Sequence, residues 1–303
     1  PSPRSASPEL QAAMDEVVDA VNLTIKNLLP ETDLAEAKLY DAMRHGVLGG
    51  GKRLRPFLTI YSAKLFNVPT SRARRVAAAL EFVHCYSLIH DDLPAMDDAA
   101  LRRGQPTVHK KFDEATAILA GDALLTQAFE ILSEPETHED PRVRCHLVRA
   151  LAQAAGPHGM VGGQMLDLIA EHEDVEFDVG EVSRLQRMKT GKLMAFACEA
   201  GAILGGASDQ QKRALNAYAF DLGLAFQVTD DILDVEADPQ DTGKDTGKDE
   251  DAGKATFVST MGKDAARERA EMIINHAIGH LKTFEGRANM LKELALYVLE
   301  RRA

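Results

Sequence analysis

The stretch that most constrains this chain is Ser87-Leu88-Ile89-His90-Asp91-Asp92-Leu93-Pro94-Ala95-Met96-Asp97-Asp98. It packs four carboxylates behind an apolar run (Leu80, Phe82, Val83, Leu88, Ile89) that belongs inside a core. Pro94 cannot sit in a helix interior, so a helix arriving from Ala77 should break near Leu93. Asp91 and Asp92 then fall at a helix C-terminus, where the macrodipole disfavours negative charge by a few tenths to about 1 kcal/mol each. Folding alone would prefer lysine there. A second acidic cluster, Phe226-Gln227-Val228-Thr229-Asp230-Asp231-Ile232-Leu233-Asp234, lies in another apolar helical pattern. Asp230 and Asp234 share a helical face, with Gln227 one turn before Asp230. The clusters can meet only through the fold, and facing carboxylates need cations between them. All-oxygen ligands select a hard divalent ion, and Mg²⁺ characteristically bridges a few carboxylates to substrate phosphates. Neither cluster has the alternating Asp/Asn spacing, central Gly and terminal Glu of an EF-hand.

The remaining sequence predicts helices. Apolar spacing marks 9–29, 34–45, 73–93, 115–132, 141–155, 159–170 and 179–204. A helix opened by a Ser208/Gln211 capping box carries Asp230, and 263–283 and 286–301 close the chain. No strand pattern, repeat or linker emerges. The expected fold is all-α: residues 1–303 as a single large helical bundle around a central active-site cavity, with 1–8 as a loose N-terminal arm.

The net charge of −12 argues against nucleic acid as a partner. An anionic substrate therefore needs local Lys/Arg or metal. Three distant cysteines without C-x-x-C spacing point to a reducing compartment and exclude a disulfide or zinc framework. No run approaches the roughly 18 uninterrupted apolar residues of a membrane span, so a cytoplasmic protein is expected.

Basic elements surround the acidic ones. Gly46 to Pro56 nearly matches a P-loop, but Arg53 stands where Ser or Thr should be and the preceding segment reads as helix. What survives is an anion site: the glycines admit an anion to the backbone, and Lys52, Arg53 and Arg55 neutralise it. His84, seven residues before Asp91, faces the same way two turns away. Arg102 and Arg103 follow the first cluster and suit a phosphate clamp. Asp122 reads as a satisfied carboxylate in a packed helical turn. Gln164 and Asp167 share a helical face, open to either a functional or a supporting role. Lys189-Thr190-Gly191 can kink its helix and turn an ammonium and a hydroxyl inward. Residues 238–254 form a Gly/Lys/Asp-rich loop suited to closing on phosphate.

Gly50 to Pro56, Asp91 to Arg103, Gly163 to Asp167, Lys189 to Gly191 and Phe226 to Asp234 together make the chain resemble the trans-isoprenyl diphosphate synthases, specifically the bacterial-type farnesyl diphosphate synthases. Asp98-Ala99-Ala100 departs from the longer acidic run of relatives, but Asp91, Asp92 and Asp97 remain. The resemblance implies head-to-tail condensation of isopentenyl diphosphate with dimethylallyl or geranyl diphosphate. It also implies a homodimer and three Mg²⁺ ions when diphosphate is bound, with Mn²⁺ as a substitute. Asp91, Asp92, Asp97 and Asp230 would hold metal, supported by Asp231 and Asp234. Arg102, Lys189, Thr190, Gln227, Lys244 and Lys254 would surround the allylic diphosphate. Gly51, Lys52, Arg55, His84 and Arg103 would hold isopentenyl diphosphate. Tyr86, with Ser87 beside it, would set a fifteen-carbon product, geranylgeranyl diphosphate synthase being the alternative. A terpene cyclase would not need the Lys52/Arg55 site, and a catalytically silent partner subunit should have lost metal aspartates.

Overall fold

Helix α4 (Thr70–Asp91) is apolar on every side along its middle: Val76 to Leu80, Phe82, Val83 and Cys85 are fully buried. A helix without a polar face must be enclosed. In the computed structural model, which describes residues 6–172, 177–236 and 257–300, α4 is packed against α1 (Pro8–Leu28), α2 (Ala37–Leu48), α3 (Leu54–Lys64), α6 (Glu114–Ser133) and α10 (Lys192–Leu204). The alanines at 77–79 let neighbouring backbones approach closely, and the enclosed helix delivers its C-terminal Asp91 from the core.

The chain runs on through α5 (Val108–Lys111), α7 (Pro141–Ala155), α8 (Met160–His172) and α9 (Val179–Gln186). After a π-helical turn at Arg187–Gly191 come α10 and α11 (Asp209–Glu236), then α12 (Phe257–Met261), α13 (Lys263–His280) and α14 (Asn289–Glu300). Local chemistry explains the boundaries. Asp140 accepts from the Arg142 amide ahead of Pro141 in α7. Ser208 and Gln211 form the expected capping box, with the Ser208 amide donating to Gln211 at 3.0 Å and the Gln211 amide to Ser208 at 3.3 Å.

The expected all-α fold is correct, with local departures. Ser7 and Pro8, read as part of the loose arm, belong to α1: Ser7 Oγ accepts from the Leu10 amide and Pro8 is the first helical residue. Helix α3 begins directly after the basic motif and was not expected; its Pro56 lies in the first turn, where a missing N–H costs nothing. One two-residue hairpin, Leu101–Arg102 (β1) with Gln105–Pro106 (β2), interrupts the helices. Its corner residues Arg103 and Gly104 both have positive φ (52° and 75°), the signature of a type I′ turn.

α11 packs along α13 and α10. Its C-terminal end sits on a small separate core of Val182, Val228, Ile232, Phe257, Ala266 and Ala270. Among the described residues, α6 alone is long and apolar enough to cross a membrane by length and composition. It packs one side against α4, α2, α5 and α7 and leaves Ile118 and Leu119 exposed on the other.

Candidate active site

Helix α4 ends at Asp91, slightly before the expected break, and the following loop folds back over its last turn. The Asp97 amide donates to the Asp91 carbonyl (2.8 Å), that of Asp98 to Leu93 (3.1 Å) and that of Ala99 to Asp92 (3.1 Å). These bonds satisfy carbonyls a helix end leaves open and bring Asp97 back beside Asp91. Burial pushes the Asp91 carboxyl up to about 6, and the neighbouring Asp97 and Asp92 carboxylates add to that rise; Lys189 and Arg102 oppose it. Asp91, Asp92, Asp97, Arg102 and Lys189 therefore share one field, although Lys189 is almost a hundred residues away in sequence.

Each cation is anchored. Asp92, 3 % exposed, takes the Arg102 guanidinium side-on, with Nε 3.0 and 2.9 Å from its two oxygens and Nη2 2.7 Å from Oδ1. The β1–β2 hairpin holds Arg102 in that position. Asp92 and Arg102 thus neutralise each other in this structure, a pairing their separate sequence roles did not anticipate. Lys189 pairs with Asp167. Where a kink was expected, the helix widens into a π-helical turn over 187–191. Gly163 makes room for it: a Cβ there would lie 2.3 Å from the Lys189 amide nitrogen. Thr190 lies in the same turn.

A basic half adjoins the acidic one. Arg55 on α3 places Nη1 3.4 Å from His84 Nε2 on α4. Burial, then the charges of Arg55, Arg103, Arg102 and Arg53, hold His84 well below the usual imidazole value. His84 thus sits neutral in a ring of arginines. Burial also lowers Arg55, whose Nε has no hydrogen-bond partner. Arg103 donates to the Gly50 carbonyl, and a Cβ on Gly51 (φ 121°) would come within 2.7 Å of its guanidinium. The glycines therefore admit a guanidinium, where the sequence reading had them admit an anion directly. Lys52 is exposed, its ammonium 5.9 Å from the Tyr297 ring centroid.

Arg53 is turned into the core and not toward a substrate anion. Its side chain is buried, with Nη1 2.6 Å from Glu81 Oε1, Nη2 2.6 Å from the Val47 carbonyl and 2.9 Å from Asn22 Oδ1. It is a brace joining α1, α2 and α4 beneath the loop that carries Lys52. Asp122 is also corrected: its side chain is 62 % exposed.

On α11, Gln227, Asp230 and Asp234 are partly buried, while Asp231 is 9 % exposed and its Oδ2 accepts from the Phe257 amide at 2.9 Å. α11, which carries the second acidic motif, packs against the π-helical turn that carries Lys189. Tyr86 is buried, its ring 5.7 Å from that of His90 in an edge-on contact. Burial and then the Asp91 charge push its hydroxyl up to about 12. Ser87 Oγ donates to the His84 carbonyl at 2.7 Å. Lys244 and Lys254, with the loop 238–254, lie outside the described residues.

The donor set tests the metal. Clustered carboxylates, one pushed toward neutrality by burial and further by its acidic neighbours, offer only oxygen and fit a hard divalent cation.

Residues 36–295 match the polyprenyl synthetase family model. A farnesyl diphosphate synthase of Escherichia coli (strain K12) is 44% identical over 295 residues, covering 95% of this chain and 97% of that protein. One from Geobacillus stearothermophilus is 42% identical, covering 89% of this chain and 90% of that protein. Among solved structures, an apo FPP/GFPP synthase from Zymomonas mobilis superposes with a TM-score of 0.88 at 46% identity, covering 96% of this chain and 99% of that one.

Proposed function

Since the chain belongs to the polyprenyl synthetase family, we propose that it condenses isopentenyl diphosphate with dimethylallyl and then geranyl diphosphate to give farnesyl diphosphate. One observation carries the reading: α4 carries His84 two turns before Asp91, with Arg55 Nη1 3.4 Å from His84 and the Arg102 guanidinium held by Asp92 next to Asp91. A metal-held diphosphate and a second, cation-held diphosphate fit side by side.

In this mechanism Asp91, Asp97 and Asp230 would hold Mg²⁺, with Asp92, already paired to Arg102, assisting and Asp231 and Asp234 supporting. Asp231 supports from a distance, through its bond to the Phe257 amide. The bound ions supply positive charge against the departing diphosphate. Arg102, Lys189, Thr190 and Gln227 surround that same diphosphate and stabilise the charge it gains as the allylic C–O bond breaks. Arg55, Arg103, Lys52 and neutral His84 hold isopentenyl diphosphate, whose double bond attacks the allylic cation. A proton is then lost to the released diphosphate, so no side-chain nucleophile is required. Tyr86, walled in beside Asp91, ends the chain at fifteen carbons. A homodimer is proposed to cover the apolar face of α6, where Ile118 and Leu119 are exposed.

Product analysis tests this. Purified protein with Mg²⁺, isopentenyl diphosphate and either allylic substrate should yield mainly farnesyl diphosphate. A C20 product would keep the chemistry and overturn the chain length; absence of condensation would overturn the reading.

A further inference from the structure

Away from the acidic motifs, two histidines and a carboxylate converge on the surface where α13 crosses α11. His276 and His280 are one helical turn apart on α13, their ring centroids 4.5 Å from each other. Both aim at a single oxygen on α11: His276 Nδ1 is 2.8 Å and His280 Nε2 3.3 Å from Asp221 Oδ2. One ligand atom from each residue lies within 4.8 Å of the others. A tetrahedral ion with bonds of about 2.05 Å has ligand atoms about 3.3 Å apart, so only small adjustments are needed to seat one.

We propose that Asp221, His276 and His280 form a binding site for Zn²⁺ or a like borderline divalent ion, separate from the Mg²⁺-type carboxylate sites. Two imidazole nitrogens and one carboxylate oxygen suit zinc and disfavour magnesium. His276 is 70 % exposed, which leaves the remaining coordination position open to water. Asp221 precedes Asp230 by nine residues, which puts the two on opposite faces of α11 and about 13 Å apart along its axis. An ion here would pin α11 to α13 on the side turned away from the acidic motif.

The test is zinc binding by the full chain, measured by competition with a chromophoric zinc indicator in excess Mg²⁺, which keeps the carboxylate motifs occupied. Wild type should take up one zinc. His276→Ala and Asp221→Asn should each weaken binding by about tenfold or more, since even indirect changes around a metal site cost 10–100-fold. Zinc should also raise the Tm of wild type by a few degrees and leave that of His276→Ala unmoved. His276 is exposed enough that its alanine variant should keep the wild-type circular dichroism, so the outcome does not hinge on His280, which closes its helix. Zinc uptake equal in wild type and His276→Ala, or no uptake by wild type, would overturn the site.

Discussion

The buried brace of Arg53 and Glu81 offers a prediction that separates positioning from substrate binding. Both side chains are essentially excluded from solvent, at 0 % and 4 % exposure, and they meet at 2.6 Å. Removing one member leaves an uncompensated buried charge, which costs about 3–5 kcal/mol. Arg53→Met should therefore lower the urea midpoint by about 1–1.7 M if unfolding has a slope near 3 kcal/mol per M. Glu81→Leu should cost a similar amount. The double variant should recover much of that loss, because two apolar side chains can replace a buried ion pair at little cost. Recovery would be incomplete: Arg53 also satisfies the Val47 carbonyl and Asn22 Oδ1, each such bond being worth about 1 kcal/mol. Because Arg53 seats the loop between Lys52 and Arg55, Arg53→Met should also raise the KM for isopentenyl diphosphate more than that for the allylic substrate. Urea titration of the four proteins followed by circular dichroism decides the matter. A midpoint shift of the single variant under about 0.3 M, or strictly additive losses in the double variant, would refute the brace.

Three further outcomes follow from the site. Asp91→Ala and Asp230→Ala should each cut kcat by at least about a hundredfold while leaving helicity intact, as expected when groups that stabilise transition-state charge are lost; normal condensation rates in both would sink the metal assignment. Tyr86→Ala should lengthen the product, read by chromatography of the dephosphorylated prenols, and an unchanged product would reject Tyr86 as the floor. His84 is held below its unfolded value near 6.5, so the native state binds fewer protons there and loses stability as the pH falls below about 6.5. His84→Gln should flatten that acid limb between pH 7 and 5 in urea titrations; parallel curves for the two proteins would remove the arginine ring as its cause.

Which features were legible in the sequence depended on how far apart the interacting residues stand. Ser208 with Gln211, or Pro94 behind Asp91, act within a few residues, and their structural effects follow from the local string. Helix α3 was legible in principle: Phe57, Leu58, Ile60 and Ala63 are buried at helical spacing, and Pro56 sits in the first turn, where a helix accepts it. The Arg103-Gly104 turn offered a single glycine as its signal. Pairings across the fold left no trace at all. Arg53 and Arg55 are two residues apart and alike in charge, yet one is locked to Glu81 and the other stands beside His84. The left-handed backbone of Arg53 (φ 49°) turns the chain between them, so that adjacent arginines serve opposite ends, one inside the core and one facing the site. The same division separates Asp91 from Asp92. The first shares its field with Asp97 and Lys189, while the second is matched by Arg102 from the hairpin, an arrangement that spends one carboxylate to fix a guanidinium beside the other. In the first acidic motif, then, a carboxylate paired to a guanidinium stands directly beside one whose charge burial and neighbouring carboxylates disfavour.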